Sequence, residues 1–189
     1  MSGQALYRRW RSQTFAEVIG QDGLSYAPAS PRRLQEWRRY LAPLNGDYPE
    51  IAWDWRTVGD FLARCDGRAA NVVYLIPHGA VRVEVVGWEA RAATGAELRA
   101  MQELVRQGLA EGAAGLSTGL SYAPCAAAPT EEMVALCRPV AEAGGILSIH
   151  LRSYGGQMLQ ALDEAIAIGE RTGVAVQVAH LRVADPSNW

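Results

Sequence analysis

Two of the three histidines in this chain, His150 and His180, stand in the same local context. Each closes a short, mostly apolar run, Ile146-Leu147-Ser148-Ile149 in one case and Val176-Gln177-Val178-Ala179 in the other, and each is followed by Leu-Arg. Neutral imidazole is the usual nitrogen ligand for zinc. In parallel barrels the functional side chains come from the C-terminal ends of strands, so imidazoles on two neighbouring strand ends could meet over one metal ion. The other reading is a pair of hydrogen-bonded core histidines, and spacing alone leaves both open. His78, in Pro77-His78-Gly79 after a further apolar run, reads as a structural or loop-positioning residue. Tyr122 follows a glycine-flanked segment near a strand end, where it could line a pocket or serve as a packing anchor with a wet hydroxyl.

These side chains need strand ends to carry them, and the second half of the chain supplies a repeated unit. Thr94-Gly95-Ala96-Glu97 has the form of a capping box. Leu98, Met101, Leu104, Val105 and Leu109 follow at helical spacing, Gly112 provides a stop, and Gly115 to Thr118 reads as a strand. The unit recurs: Pro129-Thr130 opens a helix with Glu131 and Glu132 in its first turn, Gly144-Gly145 ends it, and Ile146 to Leu151 is an apolar strand. A third helix is expected over residues 156–172, with Met158, Leu162, Ala165, Ile166 and Gly169 on one face, before a strand from Val174 to Leu181. In the first half, Pro31–Tyr40 and Thr57–Arg64 read as helices, Asn71–Ile76 as a strand, and Pro43–Trp55 as a loop. Helix followed by buried strand, repeated, predicts an α/β protein with a parallel sheet. The fold expected is a partial (β/α) barrel of TIM type with four to five strands, because a complete barrel takes about 250 residues and the chain has 189.

Composition narrows the chemistry. The net charge of −2 offers no basic footprint for nucleic acid. No apolar run approaches the roughly 20 residues of a membrane span, and the basic start has no apolar stretch behind it, so neither a membrane segment nor a secretion signal is expected. Three widely spaced cysteines, Cys65, Cys125 and Cys137, suit reduced thiols in a cytoplasm. Every basic residue other than histidine is arginine, which excludes a carboxylated-lysine metal bridge and a P-loop lysine. The glycines from Gly112 to Gly119 are too irregular for a dinucleotide fingerprint.

Six segments in order give a more specific likeness. Gly115-Leu116-Ser117-Thr118-Gly119-Leu120-Ser121-Tyr122-Ala123-Pro124 resembles the GLSTGL-x-Y-x-P segment of the N-acyl-D-amino-acid deacylases, metal-dependent members of the amidohydrolase superfamily. Residues 20–25, 77–82, 132–137, 149–154 and 178–182 resemble the same family. The resemblance implies a TIM-like barrel that holds zinc and hydrolyses the amide of a small N-acyl-D-amino acid. It implies His150 and His180 as metal ligands. It aligns Asp22, in Gly20-Gln21-Asp22-Gly23, with a ligand position often held by cysteine; carboxylate is an acceptable but harder donor. It implies Arg182 as partner of the substrate carboxylate, for which a guanidinium fork is suited, and Tyr122 as a second substrate contact. A His-x-His motif and a late catalytic aspartate of the family have no counterpart here, so no catalytic residue is assigned and weak or absent activity is expected.

Residues 1–21 carry a different likeness. They resemble the amino terminus of the gamma/tau clamp-loader subunit of bacterial DNA polymerase III, without the ATPase loop that follows in that family. The expected division is therefore an unrelated head, 1–21, and a partial amidohydrolase barrel, 22–189, with the head packed as a stray amphipathic helix or hanging loose. Two other functions remain in view: a clamp-loader-related interaction protein, and a gene fragment without function. An open barrel would expose strand edges and favour self-association.

Overall fold

The computed structural model describes residues 16–66 and 71–186; the first fifteen residues of the head lie outside the described residues. Among the described residues there are five strands, β1 (Ala16–Ile19), β2 (Asn71–Pro77), β3 (Gly115–Gly119), β4 (Ile146–His150) and β5 (Ala175–Val178). They form one sheet in the order β1-β2-β3-β4-β5, every neighbour parallel. Sequential, all-parallel order with helical crossovers is the arrangement of an arc of a (β/α) barrel. The crossovers are α1 (Pro31–Asn45) and α2 (Val58–Ala63), then α3 (His78–Val85) and α4 (Gly95–Ala110), then α5 (Thr130–Glu142), then α6 (Met158–Thr172).

Local chemistry accounts for the helix starts. Thr94 accepts a hydrogen bond from the Glu97 N–H while the Glu97 carboxylate accepts from the Thr94 N–H, closing the expected capping box at α4. Thr57 and Asp60 do the same at α2. Gly173 ends α6 in a left-handed conformation, φ 75°, which carries little cost for glycine. One side of the sheet packs on the helices: Ile76, Leu116, Leu147 and Ile149 meet Met101, Val105, Met133, Leu136, Val140 and Ile168 in a single apolar cluster. Alternation along the strands turns the other row inward. Ser117 of β3 pairs in register with Ser148 of β4, and Ser148 with Gln177 of β5, so a polar row crosses the inner face.

Several expectations are corrected. Part of the head is in the sheet: Ala16–Ile19 pairs along its whole length with β2, and its β-branched pair Val18-Ile19 suits an extended edge. Helix α1 continues beyond Tyr40, through Pro43 to Asn45, and Gly46 caps it; Leu41 is buried with Trp37 on its inner face, which holds the extra turn. Helix α6 buries Met158, Ala161, Ala165 and Ile168, while Ile166 is 50% exposed. Strand β5 ends at Val178, so His180 lies in a turn beyond it, with φ 34°.

His78 begins α3 and is fully buried. Its Nδ1 lies 2.8 Å from the Thr118 hydroxyl and its Nε2 2.9 Å from Glu132 Oε1. Arg82, equally buried, donates from Nη1 to both Glu132 oxygens at 2.6 Å and from Nε to the Pro124 carbonyl. This enclosed group ties α3 and α5 to β3 and to the loop that follows it.

Candidate metal centre

The turn after β1 carries Asp22 between two glycines in left-handed conformation, Gly20 at φ 81° and Gly23 at φ 73°. Asp22 itself has φ 58°, a conformation that aspartate tolerates better than most residues. The turn lies across the polar row of the sheet. The Ser117 hydroxyl donates to the Gly20 carbonyl and accepts from the Gly23 N–H at 3.0 Å. The Ser148 hydroxyl donates to the Gln21 side-chain oxygen at 2.8 Å. The Tyr122 hydroxyl donates to the Asp22 carbonyl at 2.5 Å.

Against this turn stand the two strand-end histidines. His150 Nδ1 is 3.9 Å from Asp22 Oδ2, His180 Nδ1 is 4.0 Å from the same oxygen, and His180 Nε2 is 2.7 Å from His150 Nδ1. One donor atom from each of the three residues falls within 4.8 Å of the others, the single such grouping among the described residues. The second nitrogen of His150, Nε2, is 2.8 Å from the Ser121 hydroxyl, which fixes the ring so that Nδ1 faces the group. Burial lowers the His150 pKa, with His180 and Arg182 acting the same way against the pull of Asp22. The imidazole is thus neutral near pH 7, the form that ligates a metal. Tyr154 links the two histidine segments. Its hydroxyl accepts from the Leu151 N–H at 3.0 Å and donates to the Ala179 carbonyl at 3.3 Å, and its ring stands 4.8 Å from that of His150.

Asp22, His150 and His180, drawn from the first strand's turn, the end of β4 and the turn after β5, are therefore brought together. Arg182 is exposed, with its guanidinium 5.8 Å from the centre of the Tyr154 ring. Tyr122 sets its ring 5.1 Å from His150 while its hydroxyl turns to Asp22. Ser121 and Tyr154, which orient His150 and tie its strand to the His180 turn, were not singled out from sequence. Their only signal was position, one beside Tyr122 and the other four residues after His150.

No family model matches the chain. It is 37% identical over 174 residues to an N-acyl-D-aspartate deacylase of Alcaligenes xylosoxydans xylosoxydans, an alignment covering 90% of this chain and 34% of that protein. It superposes with a TM-score of 0.77 at 32% identity on a D-aminoacylase solved in a study of its binuclear metal centre, over 93% of this chain and 36% of the other. Over about that third, the chain is similar to the D-aminoacylases in sequence and in fold. An N-acyl-D-glutamate deacylase from Bordetella bronchiseptica, solved with zinc and a phosphonate inhibitor, agrees at TM-score 0.78 and 31% identity over 92% of this chain and 36% of its own. The chain thus spans about a third of the length of the relatives it matches, and its sheet is an arc of the D-aminoacylase fold.

The donor set of this D-aminoacylase-like arc can be tested for metal against its own geometry. Asp22 Oδ1 is buried and has no hydrogen-bond partner, an arrangement that costs free energy unless something compensates it. Two imidazoles and a carboxylate are an ordinary zinc donor set with a position left open. The residues present fit a divalent ion.

Proposed function

We propose that this chain carries part of the active site of a zinc-dependent amidohydrolase that cleaves the amide of N-acyl-D-amino acids, with Asp22, His150 and His180 as the metal ligands. The observation that carries the reading is the convergence of those three side chains from elements far apart in sequence, one carboxylate oxygen of which is buried without a partner. A bound zinc ion would supply a Lewis acid that polarises the amide carbonyl and makes water more acidic. Arg182, exposed beside the group, offers a guanidinium fork to the substrate carboxylate. The ring of Tyr122 forms a wall next to His150, and Ser121 holds that histidine in its ligating orientation.

The described residues bring no second carboxylate into the group. With Asp22 engaged as a ligand, none remains there to accept a proton from attacking water, so binding of metal with little or no turnover is the expected behaviour of the chain by itself. A reducing, cytoplasmic setting agrees with three free cysteines. No helix among the described residues is long and apolar enough to cross a membrane. The division into a head, 1–21, and a barrel unit, 22–189, is proposed as one of origin, since residues 16–19 share the sheet.

The test is zinc content per chain after dialysis, with a His150→Ala/His180→Ala double variant as background, followed by hydrolysis of N-acetyl-D-amino acids. Near-stoichiometric zinc in the wild type alone supports the reading. Zinc no higher than in the double variant would overturn it.

A further inference from the structure

We propose that Tyr122 is a positioning residue for Asp22, its hydroxyl holding the Asp22 carbonyl so that the carboxylate stays aimed at His150 and His180. The proposal rests on the reading of Asp22 as a metal ligand. In a turn of three left-handed residues within four, rotation of one peptide plane redirects the side chain beside it. Three features oppose that rotation. Ser117 bridges the two ends of the turn at Gly20 and Gly23. Ser148 holds the Gln21 side chain. The Asp22–Gly23 peptide, whose N–H already donates to Ser117, is held at its other end, the Asp22 carbonyl, by the Tyr122 phenol at 2.5 Å. The path between them is kept bare by Gly119: a Cβ there would overlap the Tyr122 hydroxyl and lie 2.5 Å from the Asp22 carbonyl oxygen. The turn is thus fixed at its backbone and at Gln21, while Asp22 Oδ1 stays buried and unpartnered. A rigid scaffold around one unsatisfied donor is the arrangement of a preorganised ligand. Hydroxyl donation to the Asp22 carbonyl also leaves Tyr122 only its ring and an acceptor lone pair to offer a substrate.

The test is a zinc titration against a chelating indicator on the full chain, for wild type, Tyr122→Phe, Asp22→Ala and the double variant. Tyr122→Phe keeps the ring, and unchanged near-ultraviolet circular dichroism would show that packing is intact. The expected result is zinc affinity lowered roughly 10–100-fold by Tyr122→Phe, the range for loss of a group that orients a ligand. In the Asp22→Ala background the same change should leave affinity within about twofold, because its target has gone. Equal losses in both backgrounds, or no loss in either, would overturn the assignment of Tyr122 while leaving Asp22 as a ligand. Wild-type zinc no higher than in the His150→Ala/His180→Ala variant would overturn the metal reading and this proposal with it.

Discussion

At the scale of single residues the proposed metal site depends on how each donor's neighbours orient it. With Ser121 on Nε2, His150 turns Nδ1 towards the group, where it meets His180 Nε2 at 2.7 Å, and Asp22 keeps a carboxylate because its turn is bonded elsewhere. Asp22→Asn retains a residue that accepts left-handed φ but removes the charge. We expect zinc affinity to fall by more than the roughly 100-fold that marks loss of an orienting group, with the melting temperature of the metal-free protein little changed. Titration and calorimetry together check it; a variant that binds zinc as wild type does would remove Asp22 from the ligand set. His150 and His180 stood out in the sequence because each ends an apolar run, a pattern that left metal ligation open; their place as candidate ligands came from resemblance. Asp22 was legible only through resemblance. Ser121 and Tyr154 were not legible, because a polar residue in a loop leaves no periodic trace, and its partner is chosen by the fold.

Among the elements, α3 and α5 are joined to β3 by the buried His78, Arg82 and Glu132 group. Burial acts against charge on His78, but Cys125 and Glu132 outweigh it and raise its pKa from 6.5 to about 9. For Glu132, burial favours the neutral acid, and His78 and Arg82 overcome it to hold the carboxyl below its ordinary range. A histidine raised on folding stabilises the native state fully below its unfolded pKa and loses that contribution as pH rises through the folded value. The stability difference between wild type and His78→Gln, from urea denaturation, should therefore shrink between about pH 6.5 and 9. A difference that is constant or grows over that window would show that His78 is neutral in the fold. Glu132→Ala strands a buried guanidinium and should cost about 3–5 kcal/mol. Helices α4 and α5 were readable from caps and spacing. Helix α3 was not, since Pro77-His78-Gly79 has the look of a turn. The buried face of α6 was displaced because the apolar side of that helix is broad, opposite a polar side of Gln160, Asp163, Glu164, Glu170 and Arg171. The rows through Ile166 and through Ala161 and Ile168 both fit a helical period, and packing against α5 and β5 selects between them.

At the scale of the whole molecule, the described residues form an arc whose two edge strands, β1 and β5, each have a neighbour on one side only among those residues. Near those edges Val18, Leu44, Leu159, Ile166 and Leu181 are exposed, and unpaired edges with apolar neighbours favour association. Sedimentation should show the 20.5 kDa chain associating as its concentration rises, with Leu159→Glu/Ile166→Glu shifting it towards monomer. A monomer at every concentration would mean that the edges are protected. The proposed ligands span the same arc: Asp22 follows β1, the first strand, and His180 follows β5, the last. An ion held between them would act as a clasp on the assembled sheet, because in the unfolded chain the same chelate would have to close a very long loop. Zinc should then slow amide hydrogen exchange at both edge strands more than at β3, and its departure should keep pace with the fraying of whichever edge opens first. In that sense the ion would report on the completeness of the sheet as much as serve its chemistry.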